Sequence, residues 1–197
     1  MMVELFGKYF ILSQRSKCNI FLFEIILLIL VVIKTYRDKK IMRNVACYIL
    51  FSVIFWILVS TVLARIHWEI WNVVPINPSR IKWVPFYSYF VIASGNKAYL
   101  QQVLMNCCML FPVGFLLPYV YKNLKQSSCV KICFYLSAGI ECFQLIYNCG
   151  LCEFDDIIHS VFGGFCGTVC FNLFYKIMLL YKTKFLRESR NFVKTKS

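Results

Sequence analysis

The sequence predicts an all-α, multi-pass transmembrane helix bundle of about five spans, with an interfacial segment on its outer side. Three observations predict it. Hydrophobic residues make up 60% of the 197 and charged residues only 16%, whereas a soluble domain is nearer half apolar and a quarter charged. Five apolar runs come near or within the roughly 17–25 residues that a helix needs to cross the hydrocarbon. The cations fall in short clusters between those runs. The runs also lack the period-two alternation of membrane-barrel strands, which disfavours a closed barrel.

The first run covers residues 18–33; it is short and is interrupted by Glu24, so a re-entrant or interfacial helix also fits it. The second, 45–66, is free of charge up to Arg65 and strongly apolar. The third, fourth and fifth are 99–121, 129–149 and 157–181. Residues 2–12 suit a surface position, and nothing in 1–17 has the apolar core of a cleavable signal peptide. The whole of 1–197 reads as a single membrane domain with a basic tail from 182 onward.

The net charge of +13 would suggest nucleic acid in a soluble protein. Here topology accounts for it, because cytoplasmic loops collect Lys and Arg. Lys34, Arg37, Lys39, Lys40 and Arg43 lie between the first two runs. Lys122, Lys125 and Lys131 flank the turn between the third and fourth, and Lys182, Lys184, Arg187, Arg190, Lys194 and Lys196 follow the fifth. Five spans put all three clusters, and the C-terminus, in the cytoplasm. Glu153, Asp155, Asp156 and the long 67–98 segment then face outward, as do Lys8, Arg15 and Lys17, which resist the rule. The outer segment carries Trp68, Trp71, Trp83, Tyr87 and Tyr89 with Pro75, Pro78 and Pro85. Amphipathic rings favour the headgroup level, and proline discourages a continuous helix. A short interfacial helix followed by an irregular loop is expected.

Polar residues recur at helical spacing within the spans. Ser137, Glu141, Gln144 and Asn148 share one face of the fourth run, and Asp156, Ser160, Gly163 and Gly167 share one face of the fifth. A charged Glu141 facing lipid at mid-depth would cost about 2.5 kcal/mol or more, so it should face the bundle interior or a wet cleft. Gly163 and Gly167 form a G-x-x-x-G pair that admits close helix approach; Gly164 beside them and Gly114 in the third run suit packing as well. Asp155 and His159 are an i, i+4 pair, and Asp155 and Asp156 suit a helix N-terminus. Gln102 and Asn106 add a polar edge to the third run, ahead of the bends that Pro112 and Pro118 invite. Three polar faces on successive helices can meet in one outward-opening cavity.

"RIKWVPF" (80–86), "NCCMLFPVGFLLP" (106–118), "ECFQ" (141–144) and "EFDDIIHSVFGG" (153–164) together resemble the VanZ-like family of small polytopic membrane proteins. Order and spacing match over about 80–167. The chain departs from the family pattern in two places: Gly150 and its neighbours stand where an Arg is often found before the acidic pair, and Ser160 stands where an Asn often precedes Gly-Gly. The resemblance implies a multi-pass protein of the bacterial cell membrane. The family's founder is associated with resistance to the glycopeptide antibiotic teicoplanin.

On this reading Arg80, Asn106, Glu141, Gln144, Asp155 and Asp156 are candidate ligand-binding residues, with Glu141 and Gln144 as a buried floor and the two aspartates at the rim. Arg80 would meet an anionic group or the acids. The expected partners are membrane lipids and a lipoglycopeptide or lipid-linked wall precursor, without nucleic acid and without a cofactor. The alternative is a membrane-embedded hydrolase or transferase on a lipid-linked envelope substrate, with Glu141, Asp155, Asp156 and His159 as oxygen and imidazole ligands to a metal. A transporter is a third class, weakened by the missing inverted repeat. No H-E-x-x-H, Walker, Rossmann or G-x-S-x-G pattern is present. "CGLC" (149–152) is a C-x-x-C without a shuttle pair in the outer segment.

Overall fold

The computed structural model describes residues 41–63 and 78–194, together with four helical positions, 26, 29, 30 and 33, of the first apolar run. The rest of that run, the 2–12 segment, Trp68, Trp71 and Pro75 lie outside the described residues.

The described chain is an all-α bundle. Its helices are α1 (Ile41–Leu58), α2 (Tyr87–Ala93), α3 (Lys97–Val120), α4 (Gln126–Ile146) and α5 (Phe154–Lys194). A π-helical turn, Val59–Leu63, prolongs α1. Four helices are long and apolar enough to cross a membrane: Ile41–Val62, Lys97–Val120, Gln126–Ile146 and Phe154–Phe185. The last begins three residues before the expected 157 and continues unbroken past 181. No Pro or Gly lies between Lys182 and Lys194 to stop it, and Lys, Arg, Leu and Glu are good helix formers.

The start of the 67–98 segment, where the expected interfacial helix would fall, lies outside the described residues. Within its described part the irregular stretch comes first and the short helix second. A 3-10 turn (Pro78–Arg80) leads into strand β1 (Ile81–Lys82), a turn, and then α2. Strand β1 pairs in parallel with β2 (Cys152–Glu153), with Ile81 opposite Cys152 and Lys82 opposite Glu153. This pairing ties the segment before α2 to the loop that opens α5. Such a short link has no periodicity for a sequence to show.

Asn96 caps α3, its side chain accepting from Ala98 N at 3.1 Å. Helices α3 and α5 make the most extensive contact, with α1 on α3 and α4 on α5. The α3–α5 approach is closer than side chains permit. A Cβ at Gly163 would stand 1.8 Å from the Cys107 carbonyl oxygen, one at Gly167 2.1 Å from that of Phe111, and one at Gly114 1.9 Å from that of Gly164. Gly164 also meets α4, where a Cβ would lie 2.5 Å from Cys133 Sγ. Pro118 has no N–H for the Gly114 carbonyl; Thr168 Oγ1 lies 3.1 Å from that oxygen and 3.0 Å from the Gly164 carbonyl, and shares its one proton between them. An apolar core of Ala46, Leu50, Leu110, Val113, Leu117, Val120, Cys129 and Cys133 fills the bundle toward the α3–α4 turn.

Candidate functional site

The opposite end of the bundle is polar. Four acids converge there from α4, β2 and the first turn of α5. Helix spacing accounts for Glu141, Asp155 and Asp156, and the β1–β2 pairing for Glu153. Ser137, Glu141 and Gln144 are all buried, so the stripe on α4 faces inward.

Gln102 is the hub. Its Nε2 donates to Glu153 Oε2 at 3.0 Å and lies 3.2 and 3.1 Å from the two Asp156 oxygens. Glu153 is only 4% exposed. Burial pushes its carboxyl above the ordinary range, against the lowering effects of the Gln102 hydrogen bond and the Lys82 charge. Below it, Glu141 Oε2 accepts the backbone N–H of Glu153 at 3.0 Å. One buried acid thus holds the backbone that presents the next.

Asp155 turns to the other side of α5. It is 3% exposed, and its two oxygens accept the N–H groups of Phe86 and Ser88, at 2.5 and 2.8 Å. These are the N-cap and second residues of α2, so an acid on α5 caps α2 in trans. Phe86 has φ 63, a left-handed conformation that a side chain adopts at a cost of about 1 kcal/mol or more. The Asp155 bond holds it there. One turn further along, His159 Nε2 meets Tyr89 Oη at 3.0 Å, with the rings edge to face. Asp155 and His159 therefore share a side of α5, as their spacing suggests, and both latch α2.

Gln144 Nε2 donates to the Thr61 carbonyl at 3.0 Å, within the π-helical turn that ends α1. Arg80 donates to the Asn148 carbonyl rather than to an acid. The reason is local: Asn148 has φ 49, in the turn that ends α4. Asn106 stands beside Asp156, with its side-chain amide close enough to act on that carboxylate.

The family model VanZ/LLP1 matches residues 45–175, about two thirds of the chain. The chain belongs to the VanZ/LLP1 family. It matches no curated protein and no solved structure. The matched region contains most of α1, the polar end and the α3–α5 glycine crossing.

Within this VanZ-family fold, several expectations need correction. The aspartates do not both stand at a rim: Asp155 is buried and engaged by backbone N–H groups, while Asp156 is half-buried. Glu141, Asp155, Asp156 and His159 do not converge on one point, and among the described residues no three His, Cys, Asp or Glu side chains are grouped to hold a metal ion. Cys149 and Cys152 are half-buried thiols. Burial, then the nearby acid Glu141, pushes Cys152 up and away from the thiolate form.

Sequence reasoning passed over Glu153 and Gln102 as site residues. Gln102 had a visible signal, its i, i+4 relation to Asn106. Glu153 had none, because its place depends on the β1–β2 pairing.

Proposed function

We propose that this VanZ-family protein binds or senses an amphiphilic cell-envelope ligand at its acid–amide end, held at the outer face of a bacterial cell membrane with the C-terminus in the cytoplasm. Teicoplanin resistance is the concrete form of that role. The carrying observation is the separation of charge along the bundle. Glu141, Glu153, Asp155 and Asp156 gather at one end, where Gln144 joins the end of α1. Arg43, Lys122, Lys125 and Lys131 belong to the other end, beside the apolar core, while the four acids exceed Arg80, Lys82 and Lys97 at their own end. Cation-rich ends favour the cytoplasm. The exposed Trp83, Phe86, Tyr89 and Phe90 suit the headgroup level, where an amphiphile's polar part lies.

The test has two parts. A C-terminal fluorescent-protein fusion that folds only in the cytoplasm should fluoresce. Expression in a susceptible Gram-positive host should raise the inhibitory concentration of teicoplanin, and Asp156→Asn and Glu141→Gln should abolish the rise at equal membrane protein. Full resistance in both variants sinks the site; a dark fusion sinks the orientation.

A further inference from the structure

The spans differ in length, and the excess lies at one end. Helices α3 and α4 have 24 and 21 residues, which makes them about 36 and 32 Å long at roughly 1.5 Å per residue. Both match a hydrocarbon thickness of about 30 Å. The apolar part of α5, Phe154–Phe185, has 32 residues, or about 48 Å. It starts level with its neighbours, because Asp156 in its first turn meets Gln102 in the second turn of α3. The surplus therefore projects past the 121–125 turn between α3 and α4. Tilting α5 alone cannot absorb it, since Gly163 and Gly167 hold α5 against the α3 backbone.

Phe171 is buried, and its ring meets that of Tyr119, near the end of α3, at 6.2 Å. Residues 173–185 are then all exposed. Ile177, Met178, Leu179, Leu180 and Tyr181 follow one another there. At about 100° per residue they cover the whole circumference of the helix, so no side of this collar suits water. Exposed apolar surface of this kind marks a contact.

Cations frame the collar. Lys176 precedes it, Lys182 and Lys184 follow it, and Lys122 and Lys125 stand exposed on the neighbouring turn. Helix α4 starts from Lys125 without a side-chain cap, so its free N–H groups add positive potential at that turn. Among the described side chains every Asp and Glu lies at the polar end, so these lysines have no acid to meet.

The occupant must be apolar along the collar and anionic at its edges. A second copy docking collar to collar would set Lys176, Lys182 and Lys184 against the same three lysines, which repel. A nucleic acid would serve the lysines and leave the collar bare. An anionic phospholipid serves both.

We propose that this shoulder is a docking surface for anionic phospholipid: Lys122, Lys125, Lys182 and Lys184 hold the phosphate heads, and residues 177–181 take the acyl chains. The site stands independently of what the polar end binds.

Native mass spectrometry of the purified full chain in non-ionic detergent tests it, with phosphatidylglycerol and phosphatidylcholine of the same acyl chains. Phosphatidylglycerol should be retained at least about tenfold better. Lys182→Gln with Lys184→Gln, and Lys122→Gln with Lys125→Gln, should each lower that preference severalfold, while the same pairs changed to Arg keep it. Asp156→Asn, at the polar end, should leave it unchanged. In the wild type the preference should shrink as ammonium acetate rises from about 0.1 to about 1 M. Equal retention of the two lipids, a preference indifferent to salt, or one that survives loss of all four lysines overturns the site. Glycerol 1-phosphate competing as well as the lipid also overturns it, because the collar then plays no part. A dimer that persists without lipid and is lost in Leu180→Asn would make a second copy the occupant instead.

Discussion

The carboxylate of Asp155 accepts the backbone N–H of Ser88 at 2.8 Å, across 67 residues of sequence. With the Phe86 bond on its other oxygen, it makes the start of α2 an extension of α5. Asp155→Ala should remove both acceptors and cost about 1.5–3 kcal/mol, the range for hydrogen bonds to charged groups. Asp155→Asn keeps one good acceptor and should fall between. The sharper readout is chymotryptic cleavage around Phe86 to Phe90, which should accelerate in the Ala variant before the four long helices unfold. Cleavage at the wild-type rate in Asp155→Ala would show that α2 is held by something else.

Gly163→Ala should disrupt the α3–α5 crossing. Its Cβ would lie 1.8 Å from a backbone oxygen, which cannot move aside as a side chain can. Overpacking usually costs about 1–3 kcal/mol, and this site belongs at the upper end. Gly139→Ala is the control, because nothing lies within 4 Å of the Cβ it would add. Alanine is the better helix former by roughly 1 kcal/mol, so that variant should melt at or above the wild-type temperature in detergent. If the two variants melt together, the crossing is less tight than the geometry states.

Thr168 offers a shared hydrogen bond to the Gly114 carbonyl, which Pro118 leaves without an N–H. Thr168→Val should cost about 0.6 to 1.7 kcal/mol, the range for interhelical bonds in membranes. In Pro118→Ala the backbone N–H returns to Gly114, so Thr168→Val should cost less in that background. A double-mutant cycle measures this directly; a coupling energy near zero would separate the two residues.

Glu153 ties stability to pH. Its carboxyl is held above the ordinary range in the fold, first by burial. The folded state therefore keeps this proton to higher pH than the unfolded chain does. Between the unfolded value and the raised folded value, stability falls as pH rises and the proton is lost. Acidifying from neutral pH toward the ordinary carboxylate range should favour the wild type relative to Glu153→Gln, which has no proton to lose there. Parallel melting curves for the two proteins across that range would remove the buried Glu153 from the account.

Much of the arrangement was legible in helical spacing. Asp156, Ser160, Gly163 and Gly167 fall on one face by arithmetic, and in the fold that face meets α3 at Gln102, Cys107 and Phe111. Ser137, Glu141 and Gln144 likewise all turn inward. What spacing cannot tell is which of two adjacent acids meets which neighbour. Asp155 and Asp156 differ by about 100° around α5, and that rotation sends one to the α2 backbone and the other to Gln102.

The sequence by itself determined the membrane class, the four long spans, the family and the inward faces, because hydropathy and the 3.6-residue repeat act locally along the chain. Only the tertiary structure decided that Glu153 joins the site, that Arg80 serves a carbonyl and that Asp155 caps a helix. Each depends on the two-residue β1–β2 pairing and the α2 turn. Those contacts join segments some 70 residues apart, through hydrogen bonds that leave no periodic mark on either one.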